Sequence, residues 1–302
     1  MGLFSKVAGM FSKGGGGRSL EDLCARLGVT SAELRAVRVE YSEFTIPKRD
    51  GSRRTIAAPS EGLKRVQRLI LRRVLGRLPV HPSVVGFERG LSFVDHARAH
   101  AGRAVIVRFD IREFFPSTPE KRVREYLRAI GWGNEAGAEL CRLCCRNGAL
   151  PQGAPTSPRL ANLVNGEMDH RLAGAAAKYG ASYTRYADDL AFSCEIDVPE
   201  AVRTLITVVG LILKECGYRV NRKKGPRVLR RHQRQTVTGL IVNDGPPRLS
   251  RKTRRWLRAV EHRAASGSAR GGAPSLSASQ LAGWRALRLM VDAQGGRRTE
   301  GS

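Results

Sequence analysis

The sequence predicts an α+β protein in which helices back a small antiparallel sheet, and three observations carry that reading. Residues 104–109 (AVIVRF) form an almost continuous apolar run leading straight into Asp110, the pattern of a buried strand. Residues 182–186 (SYTRY) and 190–194 (LAFSC) alternate in polarity on either side of Ala187–Asp188–Asp189, which marks a hairpin with carboxylates at its tip. Around these segments, apolar residues recur at three- and four-residue spacing, the period of amphipathic helices.

Taken in chain order, the start (MGLFSKVAGMFSKGGGG) reads as a flexible arm over residues 1–18. Its glycine run, Gly14 to Gly17, is a hinge rather than a phosphate loop, because no Gly-Lys-Ser/Thr follows. Residues 19–37 form a short helical unit with Leu20, Leu23, Leu27 and Leu34 on one side. Tyr41 to Pro47 and Arg53 to Ala57 flank a Lys48–Gly51 turn and predict paired strands. The stretch from Leu63 to Leu78 predicts a helix burying Leu63, Val66, Ile70 and Val74 while Lys64, Arg65, Arg68, Arg72 and Arg73 fill other positions. Pro79 and Pro82 end it. Pro119 opens a helix with Val123, Leu127 and Ile130; residues 159–172 make another through Leu160, Leu163, Val164 and Met168. Residues 200–216 follow through Val202, Leu205, Ile206, Val209 and Leu213. The middle of the chain therefore runs strand–helix–helix–hairpin–helix–strand within one body, 19–245. Residues 246–302 make a basic helical region with a Gly/Ser/Ala-rich connection at 265–275.

Charge names the partner class. Fifty-three Lys and Arg against 27 Asp and Glu leave a net charge of +26, which repels itself unless a polyanion is near, so nucleic acid is the default partner. Residues 219–234 hold eight cations and no acid, among them Lys223, Lys224 and Arg227. A helix over 248–263 carries Arg251, Arg254, Arg255 and Arg258, which can follow the groove of a duplex. Trp256 and Trp284 read as core. Cys141, Cys144 and Cys145 have no second pair at zinc-finger spacing, so all six cysteines are expected as reduced thiols in a cytoplasmic protein. No run of 18 apolar residues is present, which excludes a membrane-spanning helix.

The chemistry lies in carboxylates. Asp110 ends an apolar strand and Asp188 and Asp189 are adjacent, where they repel unless a cation neutralises them. Mg²⁺ prefers such hard oxygen ligands, and two ions about 3.5–4 Å apart serve in-line phosphoryl transfer. An Asp-Asp pair in a hairpin is, by itself, equally ordinary turn chemistry.

The surrounding strings decide between these. YADD at 186–189 is identical to the metal-binding tetrad of bacterial reverse transcriptases, and YADDLAFS at 186–193 resembles their retron branch. RFDIREFFPS at 108–117 and LPQGAPTSPRLANLVN at 150–165 resemble the family's neighbouring motifs, and the likeness spans about residues 40–245. It implies a right-hand polymerase with fingers, palm and a small helical thumb. It implies two Mg²⁺ ions, with Mn²⁺ as a substitute, on Asp110, Asp188, Asp189 and the carbonyl of Ile111. Phe115 falls at the family's steric gate, Gln152 and Gly153 at the incoming nucleotide, and Arg54, with Arg53 beside it, at the triphosphate. Val237–Thr238–Gly239 matches the signature that retron enzymes associate with their cognate structured RNA. His96–Ala97–Arg98–Ala99–His100 matches the family's Asn-Ala-x-x-His except at its first residue.

The resemblance thus implies an RNA-directed DNA polymerase that uses dNTPs to copy a structured noncoding RNA and holds the RNA–DNA duplex. For a retron enzyme it further implies priming from a guanosine 2′-hydroxyl, a branched RNA–DNA product, and anti-phage defence with an effector protein. A group II intron-like or other defence-associated reverse transcriptase, or a non-catalytic RNA-binding scaffold, stays open.

Overall fold

The computed structural model describes residues 17–47, 51, 53–221, 225–266 and 276–295. Most of the N-terminal arm, the turn residues 48–50, Lys223 and Lys224, and most of the Gly/Ser-rich connection lie outside the described residues.

The first helical unit is two helices, α1 (Leu20–Leu27) and α2 (Ser31–Ala36). Each carries its own capping box, Ser19 with Asp22 and Thr30 with Glu33, and the second box restarts the chain in a new direction. Next, β1 (Tyr41–Pro47) pairs antiparallel with β2 (Arg53–Pro59), Tyr41 opposite Pro59. Helix α3 (Glu61–Ile70) buries Leu63, Val66 and Ile70 as its period requires, then widens into a π-helical turn at Leu71–Leu75.

Helix α4 (Phe93–Arg98) precedes the apolar strand β3 (Val105–Asp110). Four helices follow where the pattern showed two: α5 (Glu120–Ala129), α6 (Asn134–Cys144), α7 (Ser157–Val164) and α8 (Gly166–Lys178). The last two replace the continuous helix expected over 159–172. They part at Asn165, whose backbone leaves helical geometry and whose side chain donates to the carbonyl of Ala161 at 2.8 Å. The expected hairpin is β4 (Ala181–Tyr186) and β5 (Asp189–Cys194); then come α9 (Pro199–Glu215) and β6 (Arg227–Arg230), a strand hidden in the basic run.

These strands form one antiparallel sheet in the order β4–β5–β3–β6. Val105, Val107, Phe109 and Ile111 project from β3 into the main helix-backed core, while Ile106 projects to the other face. Alternation along the strand thus assigns Arg108 and Asp110 to that second face. Part of it is covered by α4, by the small hairpin β7 (Thr236–Val237) and β8 (Leu240–Ile241), and by Leu249 and Val291.

Two helices complete the described chain, α10 (Arg251–Ser266) and α11 (Ala278–Gly295). They pack through Leu257, Val260 and Leu281, with Trp256 edge-on to Trp284 at 5.0 Å, so both tryptophans serve helix packing. The far end of α11 reaches the sheet side: Val291 is wholly buried there, and the Arg98 guanidinium donates to the Gln294 carbonyl. Packing therefore crosses the boundary drawn at residue 246. No disulfide joins the six cysteines, and the Cys141–Cys145 cluster is buried in the main core.

Candidate active site

The three aspartates meet at one end of the sheet. Strand register sets Asp110 directly opposite Asp189, and the N–H of Ile111 donates to the carbonyl of Asp188 at 2.9 Å. The turn that makes this possible has Ala187 in the left-handed region (φ 54°). Gly86 lies against it so closely that a Cβ there would sit 2.8 Å from the Ala187 nitrogen.

Like charges directly opposite across an antiparallel pair oppose its formation. Here each is answered by a neighbour. Asn221 donates from Nδ2 to Asp110 Oδ1 at 2.8 Å, and its backbone N–H donates to the Asp110 carbonyl at 2.8 Å. Arg108 grips Asp189 with two bonds, Nη2 to Oδ2 at 2.6 Å and Nε to Oδ1 at 3.3 Å, and donates from Nη1 to the Thr236 carbonyl at 3.1 Å. Among the described residues no three His, Cys, Asp or Glu side chains converge as a metal site. Asp189 is turned to the guanidinium. Even so, three carboxylates and a backbone carbonyl at one sheet end are the all-oxygen donor set that divalent magnesium prefers.

Beneath the turn is a buried ion pair. Arg185, the last interior residue before YADD, is fully buried and donates to both Asp169 oxygens at 2.7 Å. It also donates to Asn162 at 3.1 Å and lies 5.5 Å from the centre of the Phe114 ring. Burial works against the Arg185 charge, but the Asp169 carboxylate outweighs it and raises its pKa. The Tyr183 hydroxyl shares Asp169 at 2.8 Å; burial first, then that carboxylate, push its pKa well up.

Residues 46–253 match the reverse transcriptase (RNA-dependent DNA polymerase) family. The chain belongs to that family. Retron enzymes are among its relatives. The retron Ec86 reverse transcriptase of Escherichia coli is 33% identical over 279 residues, covering 90% of this chain and 82% of the relative. The retron Mx162 and Mx65 reverse transcriptases of Myxococcus xanthus are 38% and 40% identical, covering 92% and 82% of this chain. The chain spans 65% and 63% of those two relatives' own lengths.

In this retron-type member of the family, the four-stranded sheet with its helices is the palm, and β1, β2 and α3 precede it in the chain. The Pro-Gln-Gly turn joins them, since the N–H of Ala57 on β2 donates to the Gln152 carbonyl at 2.8 Å. Gly153 (φ 131°) lies so near β2 that a Cβ would meet the Ala57 carbonyl at 2.6 Å, which leaves no room for a side chain. Phe115 is half-buried beside Phe114 at 5.4 Å. Arg54 is partly exposed on β2, opposite Ile46, and pairs with no described carboxylate. Arg227 lies opposite Arg108 in the palm sheet, and Arg251, Arg254, Arg255 and Arg258 are exposed on α10.

The Val-Thr-Gly signature is the tip of the β7–β8 hairpin. Val237, among the residues expected to meet RNA, has its side chain wholly buried against α4 and the sheet. Thr238 (φ 46°) and Gly239 (φ 85°) make the two-residue tip, and Thr238 Oγ1 donates to the Phe93 carbonyl at 3.0 Å. Sequence reasoning missed Arg108, Asn221 and the Arg185–Asp169 pair. A lone cation inside an otherwise apolar strand was the available signal for Arg108.

His96 and His100 are structural. Both are buried, and a chain of short bonds runs Ser193–His100–Thr184–His96 at 2.7, 2.8 and 2.7 Å. His96 Nε2 is buried without a partner. Burial, then the Arg103 and Arg108 charges, lower the His100 pKa to about 3; burial and then His100 and Arg108 hold His96 well below its usual value. Unfolded histidines titrate near 6.5, so on acidification the unfolded chain takes up protons that the folded one refuses. The stability this confers is complete above about pH 6.5 and is lost as pH falls below it, by about 1.4 kcal/mol per unit for each histidine. Urea unfolding at pH 7.5 and 5.5 should show that loss, and His96→Asn should roughly halve the part due to the pair. Equal acid sensitivity in His96→Asn would contradict the assignment.

Proposed function

We propose that this protein is an RNA-directed DNA polymerase that copies a cognate structured noncoding RNA into DNA, making a branched RNA–DNA product of the retron kind. The observation that carries the reading is the in-register pairing of Asp110 with Asp189, with Asp188 bonded into the same sheet end. Asp110, Asp188, Asp189 and the Ile111 carbonyl would hold two Mg²⁺ ions, or Mn²⁺ in their place. When bound, such ions stabilise charge on the attacking and leaving oxygens of nucleotidyl transfer.

The chain's own residues do the positioning. Arg54 takes the triphosphate of the dNTP. Gln152 and Gly153 line the nucleotide, where the bare backbone of the glycine allows close approach. The Phe115 ring stands under the sugar and excludes a 2′-hydroxyl. Lys223, Lys224 and Arg227, with Arg251, Arg254, Arg255 and Arg258, neutralise phosphates of the template RNA and the RNA–DNA duplex. Thr238 and Gly239 meet the structured RNA, held in place by buried Val237. We place the protein in the cytoplasm, in anti-phage defence beside an effector protein; among the described residues no helix is long and apolar enough to cross a membrane.

The test is extraction of nucleic acid from protein purified from its native host, followed by separate RNase and DNase digestion. A small discrete DNA joined to RNA through a branch is expected, and none from the Asp188→Ala, Asp189→Ala double variant. RNA without covalently attached DNA would overturn the retron reading. Extension of oligo(dT) on poly(rA) then separates another reverse transcriptase from an RNA-binding scaffold.

A further inference from the structure

Beside the catalytic turn the chain presents one exposed aromatic in a conformation that disfavours it. Phe87 has φ 62°, a backbone state that bulky residues rarely hold, yet its side chain is not buried in return: the residue is 50% exposed. Its ring rests at 5.6 Å on Tyr186, the first residue of YADD.

The neighbours on both sides are clamped. Val85 and Gly86 donate their N–H groups to the Arg185 carbonyl at 2.9 and 3.3 Å, and the Gly86 carbonyl accepts from Asn162 Nδ2 at 2.7 Å. Glu88 accepts from the same Asn162 nitrogen at 2.8 Å and forms an ion pair with Arg159, whose guanidinium also donates to Leu78. Asn162 and Arg159 are themselves buried. Five polar contacts thus hold the four-residue segment 85–88, whose one outward-facing side chain is a phenyl ring. Two residues on, Arg89 is an exposed cation with no ion-pair partner among the described residues.

Strain held in place by surrounding bonds accumulates where geometry serves function. An exposed phenyl face seated on the residue that opens the aspartate turn, on a protein of net charge +26, suits a nucleobase: its ring would stack while its phosphate meets a cation. We propose that Phe87, seated on Tyr186, is a stacking platform for a nucleobase of the nucleic-acid strand at the active site, with Arg89 taking the adjoining phosphate. The inference rests on the polymerase reading for which strand end is present, but its test does not use catalysis.

The probe is a template–primer carrying 2-aminopurine, placed in turn at the primer 3′ end and at the first unpaired template positions, bound in EDTA without dNTPs. In the wild type, one of these positions should be quenched on binding. Phe87→Tyr should keep the quench. Phe87→Leu, which still covers Tyr186, and Phe87→Gly, which relieves the positive φ, should lose it and raise Kd about tenfold or more. Equal quench and Kd in Phe87→Leu and wild type would overturn the proposal. So would a lower melting temperature in Phe87→Leu with unchanged quench, because the ring would then only shield Tyr186. Extension of oligo(dT) on poly(rA) by the wild type, run alongside, reports on the polymerase reading separately.

Discussion

Asp110→Asn is expected to lower DNA synthesis about a thousandfold or more while leaving the protein folded. Asparagine keeps the shape of the side chain, and its amide oxygen can still accept from Asn221 Nδ2, the bond that holds Asp110 at 2.8 Å. It also removes one of two like charges facing each other across β3 and β5, so the strand pair loses nothing electrostatically. What disappears is an anionic oxygen donor at the sheet end. A divalent ion contributes several kcal/mol to transition-state charge stabilisation, and about 4 kcal/mol corresponds to a factor of a thousand. Single-turnover extension rates with thermal melting on the same preparations measure both halves. Activity within tenfold of wild type would remove Asp110 from the catalytic set.

Arg185→Met is expected to cost about 3–5 kcal/mol of stability, a large fraction of the 5–15 kcal/mol that holds an ordinary domain. Methionine occupies part of the same space but leaves Asp169 wholly buried with only the Tyr183 hydroxyl as a described donor from the sheet. Breaking one side of a buried pair strands the other charge, whereas replacing both sides removes the problem. Arg185→Met with Asp169→Leu should therefore recover much of the loss. Urea unfolding midpoints of the single and double variants decide it. A single-variant loss below about 1 kcal/mol would mean that Asp169 finds another partner or takes a proton.

The legible and illegible parts of this chain divide on physical grounds. Asp110, Asp188 and Asp189 stood out because strand period and adjacent carboxylates are local patterns, readable within ten residues. Strands β3, β4 and β5 and the packing face of α3 followed the same way, whereas β6 lay hidden in the basic run. Helix α6 escaped because much of its buried stripe is Ala136, Gly137, Cys141 and Cys144, small residues that give a weak hydrophobic period. The division of α7 from α8 depends on how one side chain, Asn165, caps a neighbouring carbonyl. Strands β7 and β8 are two residues each, too short for any alternation to show. Arg108 and Phe87 acquire their meaning only from partners about 80 to 100 residues away, Asp189 and Tyr186, which no local window brings together.

The bidentate grip of Arg108 on Asp189 bears on how such a sequence can drift. Arg108 is given no part in the chemistry, yet it balances a carboxylate that the chemistry is proposed to require, and it anchors Thr236 as well. A neutral residue at 108 would remove the guanidinium that grips Asp189 opposite Asp110, and a compensating change at 189 would forfeit a donor. Neither single step is open, so selection acting on Asp189 also fixes Arg108. Descendants of this chain are then expected to vary at the pair together or at neither position.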